Sequence, residues 1–439
     1  MTDQNGITAD EFIAETIDKA SIGRAQIGVL LIALLLNMLD GFDVTAMAFA
    51  AHGIGEQLHI ATDKLGIVFS VATAGMMIGA MFIAPISDTI GRRAMIIICV
   101  ASIGTSMLLT AFATSLWQLV ILRAITGLGV GSMLASLAAI ASEYTPEKYR
   151  SFSVVFITAG YPLGATLGGV LIAPLIPQYG WQLVFVAGGL TTLLMLIAVF
   201  FFIPDSLQFL SNKQPQNALQ RINAILNRLG RPAISTLPRR ASAQSIDKAN
   251  VVSLLKPGRR SRTIRLWAAS FFCLTSLYFL LSWVPKLVIN AGLSESTGVY
   301  ASVAFNGGGV LGIIILGLMA ARISLSTLIG SFLCIAAVGM LTFALADGMN
   351  YLMWYLGVIG FFLSAGFTGL YAVAAKAYPT ELRATGIGWA IGLGRVGAVV
   401  GPFAGGLLIA AGLSMELNFI IFGVPLIVGG LLAYSLAVK

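Results

Sequence analysis

The chain of 439 residues is 58% hydrophobic and only 10% charged, with a mean hydropathy of +0.92. Soluble proteins carry roughly 25% charged residues, and no water-soluble fold hides this much apolar surface, so ordinary globular classes are excluded. The net charge of +8 asks for an anionic partner, and the position of the basic residues decides which.

Residues 1–20 are polar and acidic, and the first apolar run, starting near Gln26, is not followed by a small-residue cleavage site. The sequence therefore predicts a retained cytoplasmic tail over residues 1–25. Within it Thr8 and Glu11 have capping-box spacing ahead of Phe12, Ile13 and Ile17, which predicts a short amphipathic helix lying on the membrane surface.

Twelve apolar runs follow, at 26–50, 65–86, 94–113, 117–141, 152–174, 182–203, 264–289, 299–320, 324–346, 350–377, 384–412 and 416–437. Each reaches the roughly 20 residues that a membrane-spanning helix needs. The expected fold is an all-α membrane protein with 12 transmembrane helices: an N-terminal six-helix half (26–203), a linker (204–263) and a C-terminal six-helix half (264–439). Runs interrupted by Tyr161-Pro162 or Gly401-Pro402 stay helical only if neighbours satisfy the freed backbone groups.

Arg24, Arg92, Arg93, Lys148, Arg150, Arg322, Arg383 and Lys439 fall on one side of these spans, while the opposite loops hold only Lys64. The positive-inside rule makes the basic side cytoplasmic, with both termini there. Between Pro204 and Arg265 stand twelve Lys or Arg against Asp205 and Asp247, a net of +10. This one stretch accounts for the chain's basic character, so lipid head groups replace nucleic acid as the expected partner. Pro215, Leu219, Ile222, Leu226, Leu229 and Gly230 outline an amphipathic helix in it, expected to lie on the inner surface. Cys99, Cys273 and Cys334 lie in three separate apolar runs, without the clustering a metal site requires. No metal, cofactor, nucleophile or nucleotide loop is expected, and hence no enzyme.

The halves repeat. Glu143-Tyr144-Thr145-Pro146-Glu147-Lys148-Tyr149-Arg150 follows the fourth span, and Ala377-Tyr378-Pro379-Thr380-Glu381-Leu382-Arg383 follows the tenth. Gly160, Pro162, Gly164, Gly168 and Gly169 in the fifth span correspond to Gly397, Gly401, Pro402, Gly405 and Gly406 in the eleventh. Such repeats are the mark of secondary transporters.

Several motifs then carry a resemblance to the major facilitator superfamily over the whole chain. The segment from Ala84 through Asp88, Gly91, Arg92 and Arg93 is similar to that family's inner-loop signature, with Ala84 in place of its leading Gly and Thr89 in place of its basic residue. Arg123, Gly127, Gly129 and Gly131 resemble its fourth-span pattern; no strand precedes these glycines, so they read as helix packing rather than a dinucleotide loop. Asp40-Gly41-Phe42-Asp43 and Gly392-Leu393-Gly394-Arg395-Val396-Gly397 resemble the aromatic acid:proton symporter subfamily. The resemblance implies import of an aromatic or ring-derived carboxylate with a proton across a bacterial inner membrane, powered by the proton gradient and expected of a monomer.

Charge placement supports such a site independently, because intramembrane ionisable residues are expensive and mark pathways. Asp40 and Asp43 lie deep in the first span, Glu143 at the end of the fourth, and Arg395 in the eleventh. At 1.5 Å per residue, Asp40 lies roughly 21 Å and Asp43 roughly 25 Å from the basic end, Arg123 roughly 20 Å from the other, and Arg395 roughly 17 Å in. Two carboxylates on one helix face in a poorly hydrated cavity do not both stay ionised. The expectation is that one Asp binds the coupling proton while Arg123 stabilises the other, with Glu143, at the inner end of the fourth span and too far to pair with Arg123, as a further proton-coupling candidate. Arg395 would take the substrate carboxylate with its planar fork. Tyr161, Tyr278, Trp283, Phe305, Tyr371 and Trp389 are candidates to stack on a substrate ring. Asp88, Gly91, Arg92, Arg93, Arg150 and Arg383 are expected to gate. The blander readings are a static bridge for Asp40 and Arg123, a structural role for Asp43 or Arg395, and charge anchoring for the loop. A drug exporter of the same fold and a non-transporting sensor stay open as alternatives.

Overall fold

The computed structural model describes residues 8–18, 22–239, 251–345, 348–378 and 380–436. Twelve helices are long and apolar enough to cross a membrane: Arg24–Gln57, Thr62–Ile90, Arg92–Thr110, Leu116–Glu143, Glu147–Ile172, Gln182–Phe202, Arg260–Asn290, Glu295–Met319, Leu325–Leu345, Leu352–Ala377, Thr385–Ala410 and Met415–Tyr434. They are numbered below as the first to twelfth spans. Phe82, Trp117, Phe200, Leu318 and Trp354 are among the large apolar side chains left on the outside, as expected where the solvent is lipid.

The repeat seen in the sequence is a repeat of packing. The first span lies on the fifth as the seventh lies on the eleventh; the second lies on the fourth as the eighth on the tenth; the third lies on the sixth as the ninth on the twelfth. Small residues make these crossings close. A Cβ at Gly41 would overlap the Tyr161 carbonyl, one at Gly164 the Met38 carbonyl, and one at Gly401 the Thr275 carbonyl. Backbones thus touch where a larger residue would hold them apart.

Local irregularities follow from the sequence. The fifth span breaks at Ala159 and restarts at Gly160, so Pro162 sits in a first turn, where its missing N–H costs little. The second span loosens into a π-helical turn at Gly79–Ile83 and a 3-10 turn at Ala84–Ile86. The Gly79 carbonyl accepts the Ala84 backbone N–H across this wider turn and also the Ser132 hydroxyl of the fourth span at 3.2 Å.

The two ends of the bundle differ. At the end remote from the termini the halves meet: the second span packs on the eleventh, the fifth on the eighth and the first on the seventh. The Ser70 hydroxyl donates to the Val399 carbonyl at 2.8 Å, and Ser296 to the Ala173 carbonyl at 2.9 Å. A Cβ at Gly66 would lie 3.2 Å from Gly406 Cα and from the Pro402 carbonyl oxygen. Phe69 and Trp283 meet edge to face across the same seam at 5.1 Å.

The basic end is covered by the tail and the linker. Glu11 accepts from the Thr8 backbone at 2.8 Å and from its hydroxyl at 2.9 Å, closing the expected cap. These bonds hold the Glu11 carboxyl below the ordinary glutamate range. Instead of lying on lipid, the tail buries Phe12 and Ile17 against the first half and the linker. The linker helix Ala218–Arg228 likewise turns Ile222, Ile225 and Leu226 inward to protein. Periodicity gave both helices an apolar stripe, and the protein surface offered it a drier and better-packed partner than lipid heads do.

Candidate functional site

Arg123 of the fourth span donates to Asp43 of the first at 2.9 Å and to the Thr110 hydroxyl of the third at 3.0 Å. All three side chains are buried. The guanidinium also lies over the Phe185 ring of the sixth span, 5.1 Å from its centre. Thr110 donates in turn to the Ser106 carbonyl at 2.7 Å, and the Ser106 hydroxyl meets that of Thr126 at 2.8 Å. Arg123 therefore neutralises Asp43, in a site built from four spans.

Asp40 is treated differently. It is buried, yet neither carboxyl oxygen has a hydrogen-bond partner in the protein, and no cation stands within ion-pair distance. The static bridge open to Arg123 therefore falls on Asp43 and not on Asp40.

Across the seam, Arg395 has no carboxylate within ion-pair distance among the described residues. The Tyr161 hydroxyl links the two sides, standing within electrostatic range of Tyr278, Arg395 and Asp40. Tyr371 is also within range of Arg395 and Tyr278. Tyr161 and Tyr371 thus lie in the neighbourhood of Arg395 and Tyr278, and Tyr161 also in that of Asp40. The other three aromatic candidates are engaged elsewhere. Trp283 is wholly buried, and its indole donates to the Pro402 carbonyl at 2.8 Å. Phe305 is buried where the eighth span packs on the tenth. Trp389 lies against Trp267 at 6.0 Å.

A cavity of about 30 Å³ opens between Asp43, Arg123, Thr73, Phe69, Tyr278 and Ser282. That holds a water or two and is too small for an aromatic ring.

Glu143 does not join this cluster. It pairs with Arg92 at the basic end, about 30 Å along the fourth span from Arg123 at 1.5 Å per residue. Arg92 also reaches Asp88 at 3.6 Å. Gly91, at φ +96°, makes the left-handed turn that joins the second and third spans. Arg93 donates to the Phe200 carbonyl at 2.5 Å and stands 3.9 Å from Asp205, which Arg221 of the linker grips at 2.6 Å. Arg150 binds Asp18 of the tail at 2.5 Å and the Ser142 carbonyl at 3.0 Å. The Arg383 side chain lies outside the described residues. At the far-end seam, Lys286 is buried, its ammonium 3.3 Å from where a Cβ at Gly55 would stand.

Sequence reasoning missed Thr110, Phe185 and Asn37. The first two are unremarkable types in apolar runs. Asn37 carried a signal, being a polar residue three positions before Asp40 on the same helix face.

The sequence matches the Major Facilitator Superfamily over residues 33–359 and 266–439. The chain belongs to the major facilitator superfamily. This superfamily member is 32% identical over 420 residues to the gallate transporter of Pseudomonas putida, covering 94% of this chain and 92% of that one. It is 31% identical over 422 residues to the 4-hydroxybenzoate transporter PcaK of Pseudomonas putida, covering 94% and 93%. The fold of the superfamily is shared with the xylose transporter XylE of E. coli in its inward-open conformation, at a TM-score of 0.72 and 16% identity over 94% of this chain and 96% of that one. This major facilitator protein is accordingly a multi-pass membrane transporter related to carriers of aromatic acids, and not an enzyme.

Proposed function

We propose that this chain imports an aromatic or ring-derived carboxylate together with a proton, by alternating access across the bacterial inner membrane, its basic end and termini facing the cytoplasm. The observation that carries this reading is the pairing of opposites across the seam: a midspan cation without a carboxylate partner, Arg395, and a buried carboxyl without a cation, Asp40, both within range of Tyr161. A lone carboxyl as buried as that of Asp40 costs most, and the half-buried lone cation of Arg395 costs less. A substrate carboxylate bound to Arg395 and a proton bound to Asp40 would remove both costs, and removing them together couples the two.

In this reading Arg123 keeps Asp43 ionised and fixed, leaving Asp40 to load and unload. Tyr161, Tyr278 and Tyr371 supply ring faces and hydroxyls around the substrate. The half-bundles 26–203 and 264–439 rock about the site, and the loop residues Asp88, Gly91, Arg92 and Arg93 with Arg150 and Arg383 hold or release the basic end. One monoanion moving with one proton makes transport electrically neutral.

The test is uptake of radiolabelled aromatic acids into proteoliposomes under an imposed pH gradient. The wild-type protein is expected to concentrate at least one acid, and Asp40→Asn to equilibrate it without accumulation. Concentrative uptake by Asp40→Asn would remove Asp40 from the coupling role.

A further inference from the structure

Asn37 is wholly buried in the first span, one turn toward the basic end from Asp40. Neither its amide nitrogen nor its amide oxygen has a hydrogen-bond partner in the protein. With the two oxygens of Asp40, four unpartnered polar atoms stand on a single turn of helix. Native interiors hold few such atoms, because a buried donor or acceptor left unmade is costly.

Two other buried asparagines in this bundle each place their amide N–H, although the amide oxygen of Asn418 also lacks a partner. The amide of Asn306 donates to the Ser302 carbonyl at 2.9 Å, and that of Asn418 to the Leu413 carbonyl at 3.1 Å. Asn37 makes no such bond. It faces the fifth span at Gly160, where a Cβ would lie 3.3 Å from its own Cβ. The next residue is Tyr161, whose hydroxyl lies beside Tyr278, off the geometry of a good hydrogen bond, and within range of Arg395 and Asp40.

We infer that Asn37, with Asp40 beside it, forms the hydrogen-bonding end of the substrate site and takes a ring hydroxyl of a hydroxylated aromatic acid whose carboxylate pairs with Arg395. This rests on the import reading above and adds a selection: hydroxylated rings over the unsubstituted ring. The chemistry fits, because a carboxamide offers both a donor and an acceptor and a phenolic hydroxyl requires both. A site whose buried polar atoms are completed only by a hydroxyl rejects the analogue that lacks it.

The experiment measures uptake of benzoate, 3-hydroxybenzoate, 4-hydroxybenzoate, 3,4-dihydroxybenzoate and 3,4,5-trihydroxybenzoate in proteoliposomes, for the wild type and for Asn37→Leu. The wild type is expected to favour at least one hydroxylated acid over benzoate by about tenfold or more in kcat/KM, and Asn37→Leu to bring that ratio close to one. Equal use of benzoate and every hydroxylated acid by the wild type would mean that water alone completes Asn37, and would overturn the inference while leaving aromatic acid import intact. A ratio that survives Asn37→Leu would also overturn it, placing selection elsewhere. Transport of no acid in the panel would overturn the inference and also remove benzoates from the import reading. Should Asn37→Leu fail to insert, Asn37→Ala makes the same comparison, and the wild-type panel alone suffices to refute.

Discussion

Arg123 and Asp43 form a buried ion pair between the fourth and first spans at 2.9 Å, closed on its other side by Thr110. The pair sorts two aspartates that sit three residues apart. Asp43 has a permanent counter-charge, and Asp40 has none. Asymmetry of this kind lets one carboxyl stay fixed while the other changes state.

Breaking that pair from one side should be severe. Asp43→Asn and Arg123→Ala are each expected to destabilise the protein by about 3–5 kcal/mol, because a lone buried charge remains. The double variant should recover part of the loss, and a cycle of melting curves in detergent measures the coupling. Additive losses would show that the two side chains do not depend on each other.

Arg395 without a carboxylate partner should discriminate by charge. Arg395→Ala is expected to weaken binding of an aromatic carboxylate by about 10-fold to 100-fold and to leave its neutral amide analogue nearly unaffected. Competition against a labelled acid reads both. Equal loss for acid and amide would reduce Arg395 to a structural residue.

The far-end seam depends on the absence of a side chain at Gly66, which faces Gly406 and Pro402. Gly66→Leu should wedge the second and eleventh spans apart and favour the state open at that end. Maleimide labelling of a cysteine placed at Ser70, in a background freed of Cys99, Cys273 and Cys334, is expected to rise several-fold with the wedge present. Unchanged labelling would mean that the seam yields elsewhere.

Thr8 holds the Glu11 carboxyl below its ordinary range through two hydrogen bonds. A depressed folded value means that this cap stabilises the tail helix above the free glutamate value near 4.3 and that its contribution fades as pH falls through the folded value. Carbon-13 titration of Glu11 should show a midpoint below the free value in the wild type and a shift upward in Thr8→Ala. An identical midpoint in both would show that the hydroxyl bond is not formed, since Thr8→Ala keeps the backbone one.

The twelve spans were readable because a helix in lipid must be apolar along its whole crossing, and that constraint leaves a run in the sequence whatever the helix packs against. The repeat was readable from Gly164 and Gly401, since close backbone contact tolerates little else. Depth was readable too, at 1.5 Å per residue, and it placed Asp40, Asp43 and Arg123 at one level. Rotation was not. Three residues on a helix differ by about 60° in direction, and that angle sends Asp43 to Arg123 and leaves Asp40 free. The same blindness grouped Trp283 and Phe305 with Tyr161 and Tyr371, because an aromatic in an apolar run looks alike whether it faces a cavity or a neighbouring helix. The linker helix at Ala218–Arg228 declared its apolar stripe but not whether lipid or protein would cover it.

A cluster of ion pairs sits at the basic end around Arg92, Arg93, Arg150 and Asp205, tying the first half to the tail and the linker. The second half is held by apolar packing and by hydrogen bonds such as Ser276 to the Phe422 carbonyl at 2.6 Å. Added electrolyte weakens solvent-facing charge contacts within a Debye length of about 8–10 Å and leaves apolar packing largely untouched. Ionic strength is thus a dial on the clasp that tail and linker make across the basic end.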